Sequence, residues 1–273
     1  MTQGPAMWSK VGAIFVRDAR LAFSYPLSFW LQWVSIVVSV AGFYFISQLV
    51  PPSNRFGYHG QVGSYFEFVI VGLAFASFQT TALQSFQRSI RGDQMLGTLE
   101  AILATPTNLP LIILSASVWS FFLTALQVAF YLTVAVVVFG LDLGHANLLT
   151  IACFLALTIG CMSPLGVMGA ATIMTFKQAG PTNFVVGGAA QLLSGVLFPI
   201  SLLPLPLQWI SAALPLTHTL SGMRGGINGA TIAQLAPDVV WLAVATAVLL
   251  PASLFVFRRA VERAKVDGTL GHY

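Results

Sequence analysis

RSIRGDQMLGTLEAILATP, residues Arg88–Pro106, is the one long polar interruption between two strongly apolar segments early in the chain. It holds two arginines, an aspartate and a glutamate in a sequence poor in charge. Its apolar residues recur at Met95, Leu96, Leu99, Ile102 and Leu103, the i, i+3, i+4, i+7 spacing of one helix face. Gln94, Gly97, Glu100, Ala101 and Ala104 take the other faces. Asp93 suits the N-cap, and Pro106 stops the helix at or before Thr105. The stretch therefore predicts a short amphipathic helix lying between two membrane spans. Pinned at the water boundary, such a helix is a natural docking surface.

Composition sets the class around it. Of 273 residues, 57% are hydrophobic and 7% charged, where a soluble domain carries roughly a quarter charged residues. The mean hydropathy is +0.85. So much apolar surface cannot be hidden in one water-soluble core, so the bilayer is the expected solvent. The net charge of +4 does not point to nucleic acid, because the basic residues sit at the ends of apolar runs, as membrane-surface anchors do. Cys153 and Cys161 lie eight residues apart in one predicted span. That is about 12 Å of helical rise, too far for a disulfide. No secretory signal is expected, since the first apolar run follows a basic stretch.

Outward from that helix, the chain divides into an amino-terminal interfacial helix (1–26), one transmembrane domain (27–257) and a polar tail (258–273). In residues 7–25, Trp8, Val11, Phe15, Ala19, Ala22 and Phe23 share one arc, and Lys10, Arg17, Arg20 and Ser24 the opposite one. Basic residues on one face and aromatics on the other describe a helix in the interface plane; a plain extension of the first span is the alternative. Spans are expected at about 27–50, 63–87, 109–140, 147–176, 182–198 and 239–257, each long enough for a bilayer that needs about 20 apolar residues. The fold class is all-α membrane protein. Glu67 is the ionisable group inside the second span. It reads either as a functional carboxylate or as an interfacial one near the span's start. Pro164 is expected to kink the fourth span.

The segment PISLLPLPLQWISAALPLTHTLSG, 199–222, is apolar but broken by Pro199, Pro204, Pro206 and Pro215. No regular helix crosses a bilayer with prolines so spaced, so short helices that re-enter or lie against the membrane are expected. Arg224 and the following glycines return the chain to water. Six spans put both ends on one side. On that side lie Lys10, Arg17, Arg20, Arg88, Arg91, Lys177, Arg258, Arg259, Arg263 and Lys265; opposite lie Arg55 and Arg224. The positive-inside bias therefore makes both termini and the organising helix cytoplasmic, and the proline-broken segment outward-facing.

Chemistry is sparse. None of the three lysines belongs to a GxxxxGK[ST] phosphate loop, so the chain does not bind ATP by that route. His59, His145, His218 and His272 are scattered without a ligand set. No G-x-S-x-G elbow or convergent His, Asp and Ser set stands out in the spans.

GDQMLGTLEAILATPTNLPLII resembles the coupling-helix region of type-2 ABC exporter permeases. That family has a Gly-Thr-Leu-Glu core, then an apolar pair, then Thr-Pro or Ser-Pro. Here the core is Gly97, Thr98, Leu99 and Glu100, followed by Ile102 and Leu103, then Thr105 and Pro106. Where the family often has Arg-Glu or Glu-Glu before this core, the chain has Asp93, Gln94 and Met95. FPISLLPLPLQWISAALPLTHTLSGMRGG is similar to the family's outward segment after span five. The resemblance covers essentially the whole chain.

It implies a permease subunit of an ATP-driven exporter in the bacterial plasma membrane. Such a subunit dimerises and pairs with two copies of a separate ATP-binding subunit, which carries ATP and magnesium while the permease binds no cofactor. Asp93 and the Gly97–Pro106 motif residues are then the ATPase-docking set, and Trp8, Lys10, Phe15, Arg17 and Arg20 the interfacial helix. Candidate path or gate residues are Glu67, Phe75, Phe78, Pro199, Pro215, His218 and Arg224. A hydrophobic or amphipathic cargo (a drug, lipid or lipid-linked glycan) fits spans rich in aromatics and poor in charge. The alternative is an ion-coupled secondary transporter using Glu67.

Overall fold

The computed structural model describes residues 7–51, 56–58, 61–95, 109–176 and 180–266. The elements are, in order, α1 (Met7–Ser24), α2 (Pro26–Gln48), a hairpin of β1 (Phe56–Tyr58) and β2 (Gln61–Gly63), α3 (Tyr65–Met95), α4 (Leu109–Phe139), α5 (Leu148–Phe176), α6 (Gly180–Leu193), a 3-10 turn (Ile200–Leu202), α7 (Leu205–Ala212), α8 (Pro215–Ile227) and α9 (Ala236–Val266). Among the described residues the hairpin is the only β-structure. It occupies the expected loop and pairs Phe56 with Gly63 and Tyr58 with Gln61.

Five helices are long and apolar enough to cross a membrane: Pro26–Gln48, Tyr65–Arg88, Ser117–Phe139, Leu148–Thr172 and Ala236–Arg263. Each overlaps one of the stretches expected to span. Pro26 starts α2 at its first turn, where its missing N–H costs nothing. Pro164 and Pro251 lie inside α5 and α9. The crossing expected at 182–198 falls on α6, which has 14 residues. That is about 21 Å of rise, short of a hydrocarbon core about 30 Å thick. Helix α6 ends before Gly195, whose φ of +77° is the left-handed region glycine tolerates.

Helix α3 is the hub. Within the protein, 67% of its bilayer window is buried, against 11% for α2 and for α9. It packs on α4 and α5, while α9 packs most extensively on α5, and α8 fits among α3, α5 and α9. The core they share is built on Phe75, Phe78 and Phe86 of α3, Phe154 and Met162 of α5, and Leu220 and Met223 of α8. Helix α5 comes close to α3 because Gly166 has no side chain: a Cβ there would stand 1.9 Å from the Ala82 carbonyl oxygen. Small residues permit such approaches between membrane helices, where dispersion contacts replace a hydrophobic drive.

Helix α1 lies against α4. Phe15 meets Trp119 edge-on at 5.1 Å and Phe122 at 5.6 Å, and Phe23 sits 5.1 Å from Phe29 of α2. Of the apolar arc, Phe15, Ala19 and Ala22 are half-buried while Phe23 is exposed, and Arg17 and Arg20 are exposed as well.

Candidate functional site

Two polar stripes face each other across α3 and α4. On α3, Ser77, Thr81, Gln84, Ser85 and Arg88 follow helical spacing; on α4, Ser120, Thr124 and Gln127 do the same. With Gln32 of α2 and Arg17, Asp18 and Leu21 of α1, they line a cavity of about 770 Å³. Apolar surface there comes from Leu21, Trp119 and Leu123.

The stripes are knitted together by side-chain hydrogen bonds. The Thr81 and Thr124 hydroxyls lie 2.7 Å apart, and Thr124 also donates to the Ser120 carbonyl at 2.8 Å. Gln127 Nε2 donates to Gln32 Oε1 at 3.0 Å, joining α4 to α2. Gln191 Nε2 of α6 donates to Thr80 Oγ1 at 3.0 Å. Arg88 donates to Gln84 one turn back, and Arg17 Nε to Asp18 at 2.9 Å. Hydrogen bonds between membrane helices average about 0.6 kcal/mol, so the stripes hold register more than they supply stability.

The proline-broken segment forms a second polar centre. As expected, it folds into short helices: the 3-10 turn, α7 and α8, with Pro199 before the turn and Pro215 opening α8. His218 of α8 is held on three sides. Its Nδ1 is 2.6 Å from Asp238 Oδ1 of α9, its Nε2 is 2.9 Å from the Ala212 carbonyl, and its ring stacks on Trp241 at 4.2 Å. Ser221 Oγ donates to Asp238 Oδ2 at 2.6 Å. A histidine, an aspartate and a serine thus do converge, contrary to the sequence expectation. They are not a nucleophilic triad: the serine is on the carboxylate, and the far imidazole nitrogen faces a carbonyl rather than a hydroxyl. The cluster fastens α8 to α9.

Arg224 does not return the chain to water. It is 6% exposed, with Nη2 donating to the carbonyls of Phe68 at 2.9 Å, Gly195 at 3.0 Å and Val196 at 3.4 Å. Its guanidinium lies over the Phe68 ring. A cation in the last turn of α8 also complements that helix's dipole. Gly72 makes room for it, since a Cβ there would stand 2.2 Å from the Val196 oxygen and 3.0 Å from Arg224 Nη2.

The remaining predicted residues divide cleanly. Glu67 accepts from the Ser64 N–H at 3.1 Å while Ser64 Oγ accepts from the Glu67 N–H at 3.2 Å. That is a reciprocal capping box at the start of α3. Phe75 and Phe78 are each 1% exposed and stack on one another in the core, not on the cavity wall. Asp93 lies within the last turn of α3, which runs on to Met95, so it does not cap a new helix there. Gly97, Thr98, Leu99, Glu100, Ile102, Leu103, Thr105 and Pro106 lie outside the described residues, as do the side chains of Trp8 and Lys10. Cys153 and Cys161 are free thiols. No group of histidine, cysteine, aspartate or glutamate among the described residues forms a metal-holding set. Sequence reading missed Asp238, masked at the foot of the last span, and the two hydroxyl-amide stripes, although their four-residue spacing was visible.

No curated protein matches the chain. A family model described as ABC-2 type transporter matches residues 9–228, from α1 to the end of α8. With that match over most of its length and its bundle of long apolar helices, the chain belongs to the ABC-2 type transporter family and is a membrane-spanning ABC transporter permease.

Proposed function

We propose that this permease is half of a homodimeric exporter driven by ATP hydrolysed on two copies of a separate ATP-binding subunit, and that it moves a hydrophobic or amphipathic cargo across the bacterial plasma membrane. The family match over residues 9–228 carries the reading. A chain of that family whose three lysines all lie outside a phosphate loop must take its free energy from a partner. The docking surface on this reading is the 93–106 stretch, with Glu100 and the Leu99–Leu103 face in a groove of the ATPase.

The topology proposed is six crossings with both termini cytoplasmic. Helix α6 and the turn through Phe198 make the fifth, entering from one side and handing over to the short outward helices. Burial of Arg224 supports this arrangement, because it removes one of two basic residues from the outward count and leaves Arg55 against ten. An ion-coupled mechanism through Glu67 loses its main support, since that carboxylate is engaged as a helix cap.

Co-purification of the permease with its ATPase, followed by vanadate-sensitive hydrolysis in proteoliposomes, tests the reading. Glu100→Arg and Leu99→Asp are each expected to abolish ATPase retention while leaving the permease in the membrane. Solute movement by the isolated chain under a proton gradient alone would overturn the proposal.

A further inference from the structure

The cavity between α1, α2, α3 and α4 has a composition that no packing role requires. Its interior is hydroxyl and amide, yet among the described residues its mouth carries Arg17 and Arg88 against the one carboxylate of Asp18. The Asp18 carboxylate is already engaged by Arg17 Nε, so the mouth remains net positive. Deeper in, Ser85 is 7% exposed, and its Oγ has no hydrogen-bond partner among the described residues. That hydroxyl is sealed behind the lining, with almost no accessible surface, so the polar groups open to a guest are those of Ser77, Thr81, Gln84 and Ser120.

Location narrows the ligand. Helix α1 keeps Val16, Leu21 and Phe23 at 46%, 55% and 62% exposure, apolar residues that belong in lipid, beside the exposed Arg17 and Arg20. A helix with both kinds of surface lies at headgroup depth, so the cavity mouth opens there too. Leu21, Trp119 and Leu123 supply an apolar wall beside the polar stripes. The volume of about 770 Å³ is in the range of small-molecule sites. A cation is repelled by the two guanidiniums, and a purely apolar guest would strand the stripes. Phosphate oxygens on an acylated glycerol satisfy both ends: guanidinium and hydroxyl donors for the anion, Leu and Trp contacts for the first methylenes.

We propose that this cavity binds the phosphate headgroup of a membrane phospholipid, with Arg17 and Arg88 on the phosphate and Thr81 and Gln84 lining the space beneath it. The site belongs to a single chain and does not depend on the cargo or on ATP; it rests only on α1 lying at the membrane surface.

The test uses the full chain purified in detergent, with dioctanoyl phosphatidic acid as probe, dioctanoylglycerol and inorganic phosphate as controls, and native mass spectrometry as readout. Phosphatidic acid is expected to bind at least about tenfold tighter than dioctanoylglycerol, with no competition from inorganic phosphate. The double variant Arg17→Gln, Arg88→Gln is expected to weaken binding about 30-fold, from roughly fivefold per arginine at a membrane surface. Arg20→Gln, on the same helix but away from the cavity, is expected to bind as the parent does. Circular dichroism checks that each variant keeps its helices. The proposal is overturned if the folded double variant binds like the parent, if Arg20→Gln loses as much as the double variant, or if inorganic phosphate competes as well as the lipid does.

Discussion

The Arg224 guanidinium carbon stands 3.5 Å from the centroid of the Phe68 ring, and the same side chain donates through Nη2 to the Phe68 carbonyl at 2.9 Å. One residue at the end of α8 thereby grips the start of α3 by face and by backbone, and reaches the Gly195 and Val196 carbonyls after α6 as well. Three segments distant in sequence meet at one cation. Desolvated cation–π contacts are worth about 2 kcal/mol, and hydrogen bonds from a charged donor about 1.5–3 kcal/mol. Offset by the cost of burying the charge, removal is expected to cost about 3 kcal/mol. Arg224→Ala should therefore lower the melting temperature of the detergent-solubilised protein markedly. Arg224→Lys should restore less than half of the loss, because an ammonium cannot span three carbonyls while stacking flat on a ring. Equal melting of all three proteins would show that the grip is idle.

His218 makes a separate prediction, because its two functions can be split. His218→Phe keeps a flat ring against Trp241 but removes both nitrogens, leaving Asp238 with Ser221 alone. A buried carboxylate that loses a partner is expensive, and a cost of about 2–3 kcal/mol is expected. Asp238→Asn retains an oxygen for Ser221 or for His218 and should cost about 1 kcal/mol. If the two substitutions destabilise in the reverse order, the fastening of α8 to α9 is not through this pair. Because no nucleophile faces the imidazole, neither variant should alter any hydrolytic activity measured on ester substrates.

The bundle was legible in the sequence, since twenty-residue apolar runs separated by basic or turn-rich stretches leave few alternatives to membrane helices. Pro26, Pro199 and Pro215 marked element starts correctly, because proline's missing N–H acts locally. Arg224 was misplaced for the opposite reason. Its three acceptors are backbone carbonyls at 68, 195 and 196, and carbonyls carry no sequence signature. Helix α6 stops at Leu193 although hydropathy continues through Ser194–Phe198, because the backbone turns at Gly195. The cavity stripes went unread because serine, threonine and glutamine in an apolar run lower hydropathy only slightly, so they register only when spacing is examined.

Glu67 separates two mechanisms by a conservative change. In a capping box, glutamine serves as glutamate does, since one side-chain oxygen accepts from the Ser64 N–H. Glu67→Gln should therefore leave both melting temperature and ATP-dependent transport near parental values, whereas Glu67→Ala should cost about 1 kcal/mol of stability. An ion-carrying carboxylate would behave otherwise: Glu67→Gln would abolish transport with stability intact. Transport and melting measured on the same two variants decide between them.

Gly72 and Gly188 are both helical glycines, and they predict opposite signs. At Gly188, in α6, a Cβ would meet nothing within 4 Å, so Gly188→Ala gains the usual helix benefit of about 0.5–1 kcal/mol. At Gly72 the same methyl would stand 2.2 Å from the Val196 carbonyl oxygen. That atom is backbone, fixed by the turn that follows α6, and it also accepts from Arg224 at 3.4 Å. Relief requires α3 to retreat, which draws the Phe68 ring and carbonyl off Arg224. The methyl therefore costs an overpacking penalty of about 3 kcal/mol and part of the arginine's hydrogen bonding as well. Thermal unfolding of Gly72→Ala in the Arg224→Ala background measures the coupling. The combined loss is expected to fall short of the sum of the two single losses, because the second substitution removes contacts the first has already loosened. Full additivity would mean that the close approach at Gly72 serves only helix packing and not the seating of the arginine.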